Sequence, residues 1–245
     1  MSPLFLLHTQ PDPQRLAAWA ARRQLLDRQG DLGYALHALL HAAFGEQAPQ
    51  PFRYQGVEQG LLAYTHLSPA DLAQHTALAD PEVAAALGLG PTLHHNGFSA
   101  RPFPTQWATG HMLGFEARVR PIIREGATGR ERDAFLAAID KAPGQPLDRA
   151  AVYVDWLRAL LARQGGATLV QAHVTRYQQL DVTRKTHKSG PDAPRQSQRV
   201  GGPDAVLAGQ LCVADPVAFA QLIAKGLGRH RAFGFGLLLL RSASA

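Results

Sequence analysis

Hydrophobic positions in this chain alternate between a period of two and a period near 3.6, and the switches mark out its elements. "SPLFLLHT" is a short apolar run stopped by "QPDPQ", which predicts a strand over 4–8. "PQRLAAWAARRQLL" then has helical spacing, "DRQGDLG" breaks it, and a second helix is predicted over 34–44. "PFRYQGVEQGLLAYTH" reads as two strands joined by a tight turn near 58–60. Ser68 ahead of "PADLAQHTALAD" is a helix N-cap followed by Pro at the first helical position. "NGFSARPFP" supplies a fourth strand.

The same order recurs downstream. "HMLGFEARVRPII" alternates as a strand over 112–122, and "LDRAAVYVDWLRALLARQGG" is an amphipathic helix with Gly165 as its stop. "ATLVQAHVTRY" and "QLDVTRKTHK" read as two strands with a long polar loop after them. "DAVLAGQLCVADP" is a further strand, Asp215 caps the helix "PVAFAQLIAKGLG", and "AFGFGLLLLR" is a buried final strand. Each half gives the β-α-β-β-α-β order of a ferredoxin-like unit. The expected fold is therefore α+β, two tandem ferredoxin-like (RRM-like) domains spanning 1–109 and 110–245.

Composition narrows the class. The 245 residues are 46% hydrophobic and 18% charged, enough apolar material for a packed core. No apolar run reaches the roughly 20 residues that cross a bilayer, and "MSPLFLLHTQPDPQ" lacks a signal peptide's basic start. The single cysteine, Cys212, excludes an internal disulfide framework and a Cys-rich zinc module. A cytoplasmic protein with no membrane partner is the expectation. The net charge of +6 with neutral histidines adds the electrostatic footprint of a nucleic-acid binder.

Three segments carry candidate chemistry. In "KGLGRHRAFGFGLLLL" the glycines at 226, 228, 234 and 236 bracket "RHRAF" between a helix end and a strand. Glycines let backbone approach a ligand and turn N–H groups toward phosphates, and Arg229, His230 and Arg231 add charge. With no G-K-[ST] ending it is not a P-loop, and a helix cap plus a bulged strand is the plain structural alternative. The segment 176–202 holds Arg176, Arg184, Lys185, Lys188, Arg195 and Arg199, a basic hairpin suited to a phosphate track or else a solvated loop. Finally, "GYALHALLHAAFG" sets Tyr34, His37, His41 and Phe44 near one helix face. The histidine pair is open to three readings: a metal site, a catalytic site, or polar residues on the rim of a core helix. H-A-L-L-H lacks the glutamate of H-E-x-x-H and marks no third ligand.

"GLGRHRAFGFGLLLL" resembles the C-terminal glycine-rich motif of CRISPR repeat-RNA endoribonucleases. Paired with Tyr34-Ala-Leu-His37, it is similar to the CasE branch of type I-E systems, which also has two ferredoxin-like domains and a basic hairpin in the second. The resemblance implies cleavage of a CRISPR repeat transcript at the 3′ base of its stem-loop without a metal or other cofactor. The RNA 2′-OH would be the nucleophile, leaving a 2′,3′-cyclic phosphate and a 5′-OH. His37 would move the proton as base or acid, Tyr34 would hold ribose or phosphate, and His41 is a possible auxiliary. Arg176, Arg184, Lys185, Lys188, Arg195 and Arg199 would meet the RNA stem. Gly226, Gly228, Arg229, His230 and Arg231 would bind RNA, with the Arg229–Arg231 loop meeting the backbone near the cut or the subunit interface of the surveillance complex. Implied partners are the repeat stem-loop RNA and the other subunits of a type I-E surveillance complex. Relatives can carry further basic residues after the histidine, where this chain has Ala38, Leu39, Leu40, His41 and Ala42. A non-catalytic RNA-binding subunit is the alternative.

Overall fold

The computed structural model describes residues 2–26, 31–91, 97–126, 129–186 and 196–243, with the backbone alone for 181–186 and 196–200. The first part runs β1 (Leu4–Thr9), α1 (Pro13–Arg22), α2 (Gly33–Phe44), β2 (Phe52–Tyr54), β3 (Leu61–Thr65), α3 (Pro69–Leu78), α4 (Pro81–Leu87) and β4 (Ser99–Phe103). Its strands form one antiparallel sheet in the order β2-β3-β1-β4. The second part runs β5 (Met112–Val119), β6 (Ile122–Arg124), β7 (Glu131–Asp133), α5 (Ala134–Lys141), α6 (Arg149–Gln164), β8 (Ala167–Thr186), β9 (Gln196–Val213), α7 (Pro216–Lys225) and β10 (Leu238–Ser242). Its main sheet has the order β10-β5-β9-β8, again antiparallel. In both sheets the first and third strands are central, the second flanks the third and the fourth flanks the first. That is the ferredoxin-like arrangement, present twice. No helix among the described residues is long and apolar enough to cross a membrane.

Caps set several helix ends as the sequence predicts. Ser68 and Asp71 form a reciprocal capping box, and the Asp215 carboxylate accepts from the N–H groups of Val217 and Ala218. Gly165 closes α6 at φ +75° with its N–H on the Leu161 carbonyl.

Four readings need correction. The strand expected over 112–122 ends at Val119, and Ile122–Arg124 instead pairs with Glu131–Asp133 as a separate two-stranded sheet. Pro121 has no N–H for the main ladder, so the chain leaves it there. The two strands read at 167–177 and 179–188 are one strand, Ala167–Thr186. Bulges between Leu169 and Gln171 and between Val174 and Arg176 shift its alternation, so the pattern looks interrupted where the pairing is not. The long polar loop expected after residue 188 gives way to β9 from Gln196 onward, while 187–195 lie outside the described residues. Helices α4 and α5 were not expected from the sequence.

The continuous apolar run of β1 is explained by burial on both faces. Leu7 joins a core with Leu16 and Trp19 of α1 and Leu36, Leu39 and Leu40 of α2. Leu4 and Leu6 point the other way, with Tyr64 and Phe103, into the core of the second sheet and its helices. Tyr64 Oη donates to the Leu238 carbonyl at 2.9 Å, and Arg53 pairs with Glu116 at 2.5 Å. The two halves thus share a packed interface, and that interface aligns α2 with the glycine-rich segment.

Candidate active site

Helix α2 turns its leucines inward and leaves Tyr34, His37 and His41 on a half-buried flank. His37 meets His41 edge-on, with ring centroids 4.5 Å apart, and Tyr34 lies 6.1 Å away. The fourth ring comes from the other half of the molecule. Phe233, in a 3-10 turn spanning Arg231–Phe233, packs edge-on to His37 at 5.3 Å and tilted against Tyr34 at 5.8 Å. Gly33 makes this approach possible: a Cβ there would sit 2.4 Å from the Phe233 carbonyl oxygen. Burial, with His41 beside it, lowers the His37 imidazole to about 4, so it is neutral at pH 7. Among the described residues no three His, Cys, Asp or Glu side chains group as a metal site.

The glycines first shape the protein's own backbone. Gly226, Gly228, Gly234 and Gly236 all have positive φ. Gly226 and Gly236 N–H groups donate to the Leu222 and Arg118 carbonyls at 2.7 Å each, and Gly228 N–H reaches Gln164 Oε1 at 3.4 Å. A Cβ on Gly236 would lie 2.3 Å from the Leu227 carbonyl. Gly236→Ala is therefore expected to cost about 2–4 kcal/mol, from the left-handed backbone plus overpacking. A lowered denaturant midpoint at unchanged m checks it.

The remaining predicted residues separate into groups. Arg229 and His230 bind Glu131 of β7, each at 2.6 Å, and Arg231 donates to the Lys225 carbonyl at 2.6 Å. The hydrogen bond from His230, with Arg229 beside it, holds the Glu131 carboxyl at about 2 against the upward pull of burial. Arg176 is exposed on β8, along a cleft between the halves that Arg53, Arg118 and Gly33 also line. Arg184 pairs in register with Gln198, Lys185 with Ser197, and Thr183 with Arg199. These backbones belong to a two-stranded arm, because β5 pairs with β9 only as far as Ala205. Lys188 and Arg195 lie outside the described residues. Sequence reasoning missed Gly33, Glu131 and Phe233. Gly33 and Phe233 each stood within a quoted motif, but nothing marked them as partners, and Glu131 lay in none.

The class of fold is matched by solved structures. CRISPR endoribonuclease Cse3 bound to 19 nt RNA superposes with a TM-score of 0.64 at 20% identity, covering 98% of this chain and 99% of that one. Thermus thermophilus Cse3 bound to an RNA representing a pre-cleavage complex gives 0.63 at 21%, with 98% and 99% covered. A chain of a CRISPR RNA-guided surveillance complex, pre-nicking, gives 0.54 at 18%, with 98% and 100% covered. At such identities the likeness is one of fold, shared from end to end. No curated protein sequence matches the chain. A family profile described as CRISPR associated protein matches residues 4–242, and the chain belongs to that family.

Proposed function

We propose that this protein is a metal-independent endoribonuclease that cuts CRISPR precursor RNA at the 3′ base of the repeat stem-loop. One observation carries the reading: the glycine-rich segment of the second half (110–245) closes on the Tyr34–His37 face of the first (1–109), joining the two motifs into a single site. A neutral imidazole at pH 7 is in the form that accepts a proton, here from the RNA 2′-OH. The 2′-oxygen then attacks the adjacent phosphorus, the bond to the 5′-oxygen breaks, and the leaving oxygen takes a proton from water while the imidazolium returns its own to solvent. The products are a 2′,3′-cyclic phosphate and a 5′-OH. Tyr34, one turn from His37, would hold the ribose or phosphate through its hydroxyl as charge develops. His41, against the His37 ring, would be an auxiliary group at the site.

The arm bearing Arg184, Lys185 and Arg199, with Lys188 and Arg195 beyond it, would follow the stem by phosphate and shape contacts, the mode A-form RNA permits. Arg176 and the exposed Arg231 extend the basic track. Retention of the mature guide, within a type I-E surveillance complex, would follow from that contact area; the similar solved structures named above include an endoribonuclease bound to RNA and a chain of a CRISPR RNA-guided surveillance complex. The test is incubation with a CRISPR repeat hairpin in excess EDTA. Cutting is expected to persist at the rate seen without chelator, leaving cyclic-phosphate and 5′-OH ends. A requirement for added metal defeats the reading, and tight binding with no cut leaves an RNA-binding subunit.

A further inference from the structure

Glu131 lies outside every motif of the sequence, yet it ties down the segment that covers His37. Its strand, β7, is firmly supported. Two residues on, Asp133 accepts from the Phe135 N–H at 2.8 Å, Tyr153 Oη at 3.0 Å and Arg149 at 3.1 Å. Trp156 donates to the Ile122 carbonyl on the paired β6 at 3.0 Å. From this platform the two Glu131 oxygens take Arg229 Nε and His230 Nε2, one each. His230 is thereby held at φ +59°, a left-handed conformation that a non-glycine residue adopts only at a cost. The His230 carbonyl accepts the Phe233 N–H at 2.8 Å, and the two rings lie 6.1 Å apart. Contact therefore runs without a gap from Glu131 through His230 and Phe233 to His37.

We propose that Glu131 is a positioning residue for His37: its two-pronged hold on Arg229 and His230 fixes the Arg231–Phe233 turn and keeps the Phe233 ring as a dry cover over the imidazole. This deepens the nuclease reading and rests on it only for the effect on cleavage.

Charge and cover predict opposite signs, which makes the proposal testable. On α2 itself His37 has Tyr34 and His41 for neighbours, and the packed turn brings His230 and Arg231. Asp31 and Arg118 close the N-terminal end of the helix, and Arg176 faces the cleft from β8. Loss of the Glu131 charge, leaving the Arg229 cation unbalanced, would make His37 harder to protonate. Loosening Phe233 would admit water and make it easier.

The measurement is an NMR titration of the His37 imidazole in the full chain, for wild type, Glu131→Gln, Phe233→Ala and the double variant. Each single variant is expected to titrate about one pH unit or more above wild type, toward the ordinary value near 6.5. The double variant should titrate no higher than Phe233→Ala alone, since the cover is already gone and only the charge effect, of opposite sign, remains. A His37 titration unchanged or lowered in Glu131→Gln overturns the proposal, as does an additive double variant. If Glu131→Gln does not fold, Glu131→Asp, too short to reach both partners, replaces it under the same criteria. An unchanged His37 in Phe233→Ala also overturns it. In cleavage assays the acid limb of kcat/KM should move up with the titration. Were the nuclease reading wrong, the NMR shifts would remain while no variant, nor wild type, cut RNA.

Discussion

His37→Ala is expected to slow cleavage of the repeat hairpin by about 10²–10⁴-fold, the usual contribution of a positioned acid–base group, while affinity for the RNA stays nearly constant. The separation follows from geometry. His37 is half-buried on α2 under Phe233, whereas the arm bearing Arg184, Lys185 and Arg199 extends from β8 and β9 of the other sheet. Single-turnover rates and binding isotherms on one preparation check both halves. A variant cutting at the wild-type rate would remove His37 from the chemistry. The pH profile then assigns its role. With the imidazole lowered to about 4, the base form is nearly complete above about pH 5. A general base therefore gives a kcat/KM that is flat from about pH 5 to 8 and falls about tenfold per unit below 4. A general acid would already lose about tenfold per unit across that same upper range.

A substrate with a single 2′-deoxy nucleotide at the cut should resist cleavage completely, in the presence of every protein side chain. The attacking oxygen belongs to the RNA in this mechanism, so its removal leaves His37 no proton to take and the phosphorus no internal nucleophile. The loss in affinity is bounded by one hydrogen bond, about 0.5–1.5 kcal/mol, hence on the order of tenfold in Kd at most. Cleavage of the deoxy substrate at an ordinary rate would mean that water attacks, and a cyclic phosphate could not then form. Because this change is made in the RNA, it tests the chemistry without any question of protein folding.

Local chemistry was legible in the sequence, and long-range partnership was not. Ser68, Asp215 and Gly165 announce helix ends because a cap is decided by residues a few positions apart. Tyr34 and His37 fall on one flank of α2 because the helical period alone places them there. The bulges of β8 depend on pairing with β9, and so the strand looked like two. Sheet β6–β7 is too short for either period to show in either strand. At the site, "RHR" reads as a charged surface, yet Arg229 and His230 are matched by Glu131, 98 and 99 positions away. The same distance problem hid Gly33, whose missing side chain matters only once Phe233 arrives from the far end of the fold.

That pairing of Phe233 with α2 has a consequence for how the protein comes to life. Its partners stand about 200 positions apart, among the longest-range contacts in the molecule and thus among the costliest in loop closure. Until that closure His37 lacks the Phe233 ring that packs edge-on to it. The last strand pairs with β5, and the Gly236 N–H donates to the Arg118 carbonyl on that same strand, so the turn is anchored by the sheet that completes the second half. A chain arrested short of its final sheet would therefore hold the histidine without the ring that covers it.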